Sequence, residues 1–244
     1  MIIASQRVEF AKSKTKQQKV PLKKVKPTLR ESISELSKSK PLQAIATMVI
    51  CYNVCVELAE VLWKGILRKT YTNKSEYMAF MGSFSQTVGI VSSILQLCAP
   101  SIIRRLGWKG ASLVTPWAMG LLATFFFISV SLGTNYVPLK TALLIGTIQN
   151  VVCKTTKYTL FDPCKEIAYI PLGPEAKVKG KAAVDVLGAR FGRSIGSASQ
   201  QMMVLLAGGS ILTCAPALGT MYLLSVASWT RAVSVLDKTV SKEE

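Results

Sequence analysis

The chain has 244 residues, half of them apolar, and its 30 Lys and Arg against 13 Asp and Glu give a net charge of +17. The low charged fraction of 18% and the long apolar runs argue against an ordinary soluble domain. The chain has no His, which excludes a Ser/His/Asp triad and removes the commonest metal ligand. We therefore predict no enzyme, no metal site and no cofactor.

Six segments have the roughly 20 apolar residues that a helix needs to cross a bilayer core. They are predicted as transmembrane helices at 42–66, 78–100, 111–132, 137–156, 183–207 and 209–235. The fourth span opens with Pro138, which suits a helix start, and Pro216 is a candidate kink in the sixth. A five-span alternative drops the segment 183–207 and leaves Arg190 and Arg193 unexplained.

Residues 1–41 form the most basic part of the chain, with 11 Lys and Arg against three acids. We predict a cytoplasmic or stromal loop or tail there, a six-helix unit over 42–235 and a polar tail over 236–244. A transit peptide within 7–40 is the alternative. The loops on the side of both termini carry 22 Lys and Arg and the opposite loops carry five. The positive-inside rule therefore places both termini in the cytoplasm or stroma.

Four polar side chains of the first span recur every three or four residues, so they share one face of the helix. They are Asn53, Glu57, Glu60 and Lys64. This face must meet protein or water, because a charge at membrane depth costs a few kcal/mol or more, roughly. Glu60 and Lys64 are also spaced for an ion pair. In the alternative, Lys64 is an interfacial anchor beside Trp63 and only the two glutamates lie deep.

A ridge of small residues runs along the fifth span at four-residue intervals, which lets another helix approach closely. Its members are Gly188, Gly192 and Gly196. Asp185, Arg193 and Gln200 lie on or beside this ridge, and the opposite face is predicted to meet lipid. That face carries Val184, Leu187, Phe191, Ile195 and Met202. The alternative is helix packing alone, with Asp185 and carbonyl groups holding Arg190 and Arg193.

A third polar cluster covers the end of the fourth span and the residues that follow it. Lys154, Lys157 and Lys165 bring three cations near one bilayer face, with Asp162 and Glu166 as local counter-charges. A phosphate chain needs several cations at once, because solvent weakens each pair. The cluster therefore suits a polyanion such as a nucleotide. The alternative is an ordinary basic loop that obeys the positive-inside rule.

Three stretches near the fifth span have an unusual composition. They are K-Y-T-L-F-D-P-C-K-E-I-A-Y-I-P-L (157–172), K-V-K-G-K-A-A-V-D-V (177–186) and the run from Gly188 to Gln201. The first span contributes N-V-C-V-E-L-A-E-V-L-W-K (53–64) and the leader P-T-L-R-E-S (27–32). Together they resemble the second half of the ATP/ADP carriers of plastids and obligate intracellular bacteria. The resemblance covers about residues 25–235.

This resemblance implies an all-α membrane protein: six transmembrane helices that form one half of a twelve-helix carrier related in shape to the major facilitator fold. It implies exchange of ATP for ADP across a membrane. The family's important charged residues match Glu60 and Lys165, and its motifs also match Lys64 and Lys157. With Arg193 from the polar face of the fifth span, these five form the predicted substrate-binding set.

The resemblance further implies ATP and ADP as substrates, a lipid bilayer around the chain and a missing N-terminal half. The chain would then be a fragment, an incomplete gene model or one of two paired chains. A membrane subunit that pairs with a separate N-terminal half without transporting is the alternative. Nucleic acid is not predicted as a partner, because the basic residues lie between apolar runs. The expected location is the plastid inner envelope, or otherwise a bacterial inner membrane.

Overall fold

The computed structural model describes residues 36–37, 39–172, 180–181, 183–207 and 211–240. These residues form helices and turns with no β-strand among them, which confirms the all-α class for this part of the chain. The α-helices are α1 (Lys40–Thr70), α2 (Lys74–Ser131), α3 (Leu139–Thr156), α4 (Asp162–Ala168), α5 (Ala189–Ala207) and α6 (Ala215–Val240). Two π-helical segments, π1 (Lys157–Phe161) and π2 (Val184–Gly188), precede α4 and α5. The predicted basic leader and most of the predicted polar tail lie outside the described residues.

Helix α1 lies at the centre of the fold. The Ser39 hydroxyl accepts a hydrogen bond from the Leu42 amide at 3.5 Å, and Pro41 follows, so the first turn is capped and preset. The helix packs against α6 and α3 on one side and against π2 and α5 on the other. Its side chain Trp63 is fully buried and donates its Nε1–H to the Thr147 hydroxyl at 3.0 Å. Of the elements that build the site described below, α3, π2 and α5 pack against α1, whereas π1 and α4 pack against α2.

Helix α2 contains both the second and the third predicted spans. It begins at a cap in which the Asn73 side chain accepts from the Ser75 amide at 3.0 Å. Gly107, at φ 68° and ψ 171°, interrupts it and creates a first arm (74–106) and a second arm (108–131). The predicted loop over 101–110 is therefore wrong, because the chain turns at a single glycine that adopts a positive φ at little cost.

The fourth span begins after Pro138 as predicted. Its helical path does not end at 156: it continues through π1 and α4 to Ala168. The loop predicted between the fourth and fifth spans is therefore wrong over residues 157–168. Lys154, Lys157 and Lys165 all lie on this helical path. They therefore have fixed positions relative to α1, which a solvated loop would not give them.

The predicted glycine ridge is confirmed by its close contact with α1. A Cβ atom at Gly192 would lie 2.7 Å from both the Ile50 carbonyl oxygen and the Asn53 Cβ. At Gly196 it would lie 2.8 Å from the Glu57 Cβ. Only glycine permits this approach, so the ridge brings α5 against the polar face of α1.

Phe191, Ile195 and Met202, on the side of the fifth span that is predicted to meet lipid, are exposed, and their contact with lipid stays a prediction. The prediction is wrong at Val184, which is buried. Val184 is the first residue of π2. The i→i+5 hydrogen bonds of a π-helix widen the turn, so the residues before α5 point in different directions from those that a regular α-helix would give them. The side chain of Leu187 lies outside the described residues.

Helix α6 packs against α1 and α2 and buries Trp229 and Tyr222. Pro216 is the second residue of α6, so it begins the helix and the predicted kink is not formed there. Among the described helices, α1 and α2 are long and apolar enough to cross a membrane.

Candidate functional site

The polar face of α1 borders a cleft of about 390 Å³. The far side of the cleft is formed by α3, π1 and α5. Its charged lining residues are Glu57, Glu60, Lys64, Lys154, Lys157 and Arg193. Four of the five predicted substrate-binding residues therefore meet around one opening, with four cations against two carboxylates.

Glu60 is the centre of the ion pairs in this cleft. Its Oε1 lies 2.8 Å from Lys64 Nζ and 3.4 Å from Lys154 Nζ, and its side chain is 21% exposed. Lys154 also lies over the Phe84 ring, 5.2 Å from the centroid. One carboxylate thus neutralises only one of two converging ammonium groups, and the trio keeps a net positive charge.

The structure pairs Lys64 with Glu60 at the cleft, while the side chain of Trp63 is buried in the core. The alternative of Lys64 as an interfacial anchor stays a prediction. The sequence pattern does not predict the contact between Lys154 and Glu60. It groups Lys154 only with the basic residues that follow, and a separation of 94 residues hides its position opposite α1.

Arg193 reaches the same cleft from α5 and is exposed. Its Nε–H donates to the Asn53 Oδ1 at 3.5 Å, and the Asn53 Nδ2 donates to the Val49 carbonyl at 2.8 Å. The second hydrogen bond orients the amide so that its oxygen faces the guanidinium group. In the alternative, Asp185 holds Arg193, but the described partner of Asp185 is Lys165 and that of Arg193 is Asn53. The part of the alternative that concerns Arg190 stays a prediction.

A second cleft, of about 400 Å³, adjoins the first. The two share Tyr52, Asn53, Lys157 and Arg193 in their linings. The second extends along π1 and α4 to Lys165 and Asp185. Lys165, the fifth predicted residue, therefore lies next to the others but beyond the first opening.

Lys165 is surrounded by acids. Its Nζ lies 2.8 Å from Asp185 Oδ1 and 4.0 Å from the nearest oxygens of both Asp162 and Glu166. Its side chain is only 12% exposed. Lys157 pairs with Asp162 at 3.8 Å. The second cleft thus has three cations, Arg193 included, balanced by three carboxylates.

Glu166 has a further partner at the outer end of this network. Lys181 donates to its Oε2, and this hydrogen bond raises the pKa of Lys181 above its usual range. Lys181 therefore stays charged at neutral pH and holds Glu166, which leaves Asp185 as the principal partner of Lys165.

Two other clefts in the described part of the chain are not lined by any of the five predicted residues. A cleft of about 450 Å³ lies at the other end of α1, and Lys69 is its one charged lining residue. It is larger than either site cleft, but it lacks the clustered cations that bind a polyanion. Among the described residues, no group of three or more His, Cys, Asp or Glu side chains is placed to hold a metal ion.

Comparison with known proteins gives a consistent result. The family model of the TLC ATP/ADP transporters matches residues 1–240. ADP,ATP carrier protein 1 of Chlamydia muridarum is 42% identical over 230 residues, which are 88% of this chain and 43% of that protein. The plastidic ATP/ADP-transporter of Solanum tuberosum is 39% identical over 226 residues, 88% of this chain and 36% of that protein.

A third relative, ADP,ATP carrier protein 4 of Rickettsia conorii, is 37% identical over 228 residues, again 88% of this chain and 44% of that protein. The chain thus spans about two-fifths of the length of these relatives. No match is found among solved structures.

Proposed function

Because this chain belongs to the family of TLC ATP/ADP transporters, we propose that it forms the C-terminal half of a nucleotide carrier. The carrier exchanges ATP for ADP across a membrane. The related carriers from Chlamydia and potato, which are named for ATP and ADP, support these substrates. The family consists of transporters, so the proposal includes no covalent chemistry.

One observation carries this proposal: cations from four segments converge on a cleft that opens to one side of the helices. Lys64, Lys154 and Lys157, with Arg193 beside them, exceed the acids of that cleft in number. A nucleotide carries a compact chain of negative charges, and several ammonium and guanidinium donors together can replace its hydration shell. The phosphates therefore bind along α1, α3 and π1.

Transport requires that this wall meet a second one. Carriers of this general type hold their substrate between two repeats near the middle of the membrane and rock one repeat against the other. In our proposal α1, the two arms of α2, α3, α5 and α6 span the bilayer as six helices, one half of a facilitator-like carrier. Each of them approaches or exceeds the roughly 20 residues that a bilayer core needs. The missing N-terminal half supplies the opposite wall.

Glu60 takes part in the transport cycle. Its carboxylate is shared between Lys64 and Lys154, so a phosphate that takes over one lysine leaves Glu60 paired with the other. Each partly exposed pair is worth only about 1 kcal/mol or less, which makes such a swap inexpensive. Glu60 therefore keeps the cations in place between substrates.

The experiment measures exchange of labelled ATP by vesicles that contain the chain together with an N-terminal half from a relative. Lys165→Ala and Glu60→Ala are expected to abolish exchange. The first removes the cation that pairs with Asp185, and the second removes the carboxylate that Lys64 and Lys154 share. Lys109→Ala is the control, since Lys109 pairs with Asp237 at 2.7 Å away from both clefts. Normal exchange by both site variants would overturn the roles assigned to these residues.

For the location of the carrier we propose the inner envelope of a plastid, with a bacterial inner membrane as the second choice. Relatives named as chloroplastic and plastidic support the first. Relatives from Chlamydia and Rickettsia support the second. Fractionation of the source cell with envelope markers distinguishes the two.

A second candidate function is a membrane subunit that pairs with a separate N-terminal half without transporting. The first arm of α2 favours it, because small and polar side chains lie exposed along one face. They are Gly82, Gln86, Gly89 and Ser93. A Cβ atom at either glycine would meet nothing within 4 Å, so the face has room for another helix. Recovery of a separate N-half chain by pull-down, without nucleotide exchange by the complex, would favour this candidate.

A further inference from the structure

The ammonium group of Lys165 is already occupied by a carboxylate of the same chain. Asp185 Oδ1 accepts a hydrogen bond from Lys165 Nζ at 2.8 Å, which is shorter than either 4.0 Å contact of Lys165 with Asp162 and Glu166. The side chain of Lys165 is 12% exposed and that of Asp185 is 32% exposed. Any anion that approaches from the cleft therefore meets Asp185 at the position where it would bind Lys165.

The two clefts differ in how fully their cations are compensated. In the first, Glu60 faces two lysines, and a net positive charge remains. In the second, Lys157 and Lys165 are paired with Asp162 and Asp185, and the three lining cations equal the three lining carboxylates in number. A phosphate oxygen and a carboxylate oxygen offer an ammonium group the same kind of charge-assisted hydrogen bond. The first cleft can thus attract a phosphate chain directly, whereas the second must release an internal anion first.

The pair also links two segments of the fold. Lys165 belongs to α4, directly after π1, and Asp185 belongs to π2, directly before α5. π-Helical turns are frequent at functional sites, where they alter the direction of individual side chains. Both members of the ion pair thus stand next to irregular helical turns, and their bond ties the end of the fourth span to the start of the fifth.

We propose that Asp185 is an internal counter-ion of Lys165 that a substrate phosphate displaces. The inference rests on the proposed function, since it takes the phosphate chain of a nucleotide as the ligand. Asp185 lowers the affinity of the site for phosphate and holds α4 to π2 while the site is empty. When a phosphate binds Lys165, the ion pair between Lys165 and Asp185 breaks and α4 is no longer held to π2. Phosphate binding therefore affects α5, the helix that follows π2 and carries Arg193.

The first test measures equilibrium binding of labelled ATP in lipid nanodiscs that contain the purified full chain together with an N-terminal half from a relative. Asp185→Asn removes the competing charge and is expected to tighten ATP binding about three- to fivefold, the scale of one partly exposed ion pair. Unlabelled tripolyphosphate should compete correspondingly better against the variant. Adenosine, which has no phosphate, should bind both forms equally.

Two controls separate direct competition from a general change in charge. Asp237→Asn removes the same charge from the ion pair with Lys109, outside both clefts, and should give no comparable gain. In a Lys165→Gln background, Asp185→Asn should give no gain, because the competition is for Lys165. A gain that persists in that background, or unchanged or weaker binding by Asp185→Asn, would overturn the inference.

The second test uses the unmodified chain and so does not depend on the folding of a variant. A carbodiimide joins carboxylates to amines in direct contact, and mass spectrometry then measures the Lys165–Asp185 cross-link. ATP should lower its yield, while the Lys109–Asp237 cross-link, from a pair of similar length at 2.7 Å, should not change. A Lys165–Asp185 yield that bound ATP leaves unchanged contradicts the inference but not the proposed function. If the chain binds no ATP when paired with an N-terminal half from a relative, both fail.

Discussion

Single residues decide how tightly the site can hold an anion. The Glu60 carboxylate is shared between Lys64 at 2.8 Å and Lys154 at 3.4 Å, so removal of either lysine leaves a neutral pair. Removal of Lys154 also ends its contact with the Phe84 ring. Lys154 therefore contributes to the cleft both a charge and a fixed position.

We predict that Lys154→Gln weakens ATP binding by about three- to tenfold, because the trio loses its net positive charge. Lys109→Gln, which breaks the ion pair with Asp237 outside the clefts, should change the affinity less than twofold, roughly the effect of a surface ion pair in salt. Equilibrium binding of labelled ATP measures both. Equal losses in the two variants would mean that overall charge, and not the cleft, binds the nucleotide.

The sequence predicts the contact of these residues within one helix but not their contacts between helices. Glu60 and Lys64 were placed together because they lie one turn apart on a single helix. The contacts of Glu60 with Lys154 and of Lys165 with Asp185 join different segments, and no local spacing encodes them. Periodicity places residues on a face, but it does not select the partner across from that face.

At the scale of helices, packing of α5 on α1 forms one corner of the site. Gly192 allows the α1 backbone at Ile50 and the Asn53 side chain to approach within 2.7 Å of where a Cβ would be. The same approach brings Arg193 to the Asn53 amide. The glycine ridge therefore positions a cation as well as a helix.

We expect Gly192→Ala to destabilise the chain by about 1–3 kcal/mol, because its Cβ has no space unless α5 shifts away from α1. Gly89→Ala is the matched control: its Cβ meets nothing within 4 Å, and alanine favours helix by up to about 1 kcal/mol. The free energy of unfolding in detergent measures both. The packing described here would be contradicted by a Gly192→Ala variant as stable as the unmodified chain.

Hydropathy predicts where the helices lie better than it predicts where they begin and end. Hydropathy marks where the chain is apolar, so it ended the fourth span at 156, although the helix continues through π1 and α4 to Ala168. It also placed a loop over 101–110, where charged residues continue the helix on both sides of Gly107. Polar residues at the end of a span can remain helical, and a hydropathy pattern does not register this.

At the scale of the molecule, the charged clefts lie on one side of the described helices. The charged cleft side chains of α1, α3 and π1 are partly exposed, whereas the aromatic residues Trp63, Trp229 and Tyr222 fill the interior. A charged surface of this kind is costly against lipid, so it must face water or protein. We propose that this side of the chain forms a hydrated wall at which the phosphates of a nucleotide bind.

The most direct test of this claim is the reaction of a single cysteine in the cleft with a charged, water-soluble thiol reagent. Val61→Cys introduces it without loss of a charge, in a Cys98→Ser background, since Cys98 is the exposed native cysteine and the other five are buried. Leu121→Cys, on the exposed apolar side of the second arm of α2, is the control.

In lipid vesicles, we predict that the thiol of the Val61→Cys variant reacts and that ATP slows this reaction at least about fivefold when ATP occupies more than roughly four-fifths of the sites. The thiol of the Leu121→Cys variant should not react. A thiol in the Val61→Cys variant that is unreactive, or that reacts at the same rate with and without bound ATP, would contradict the account.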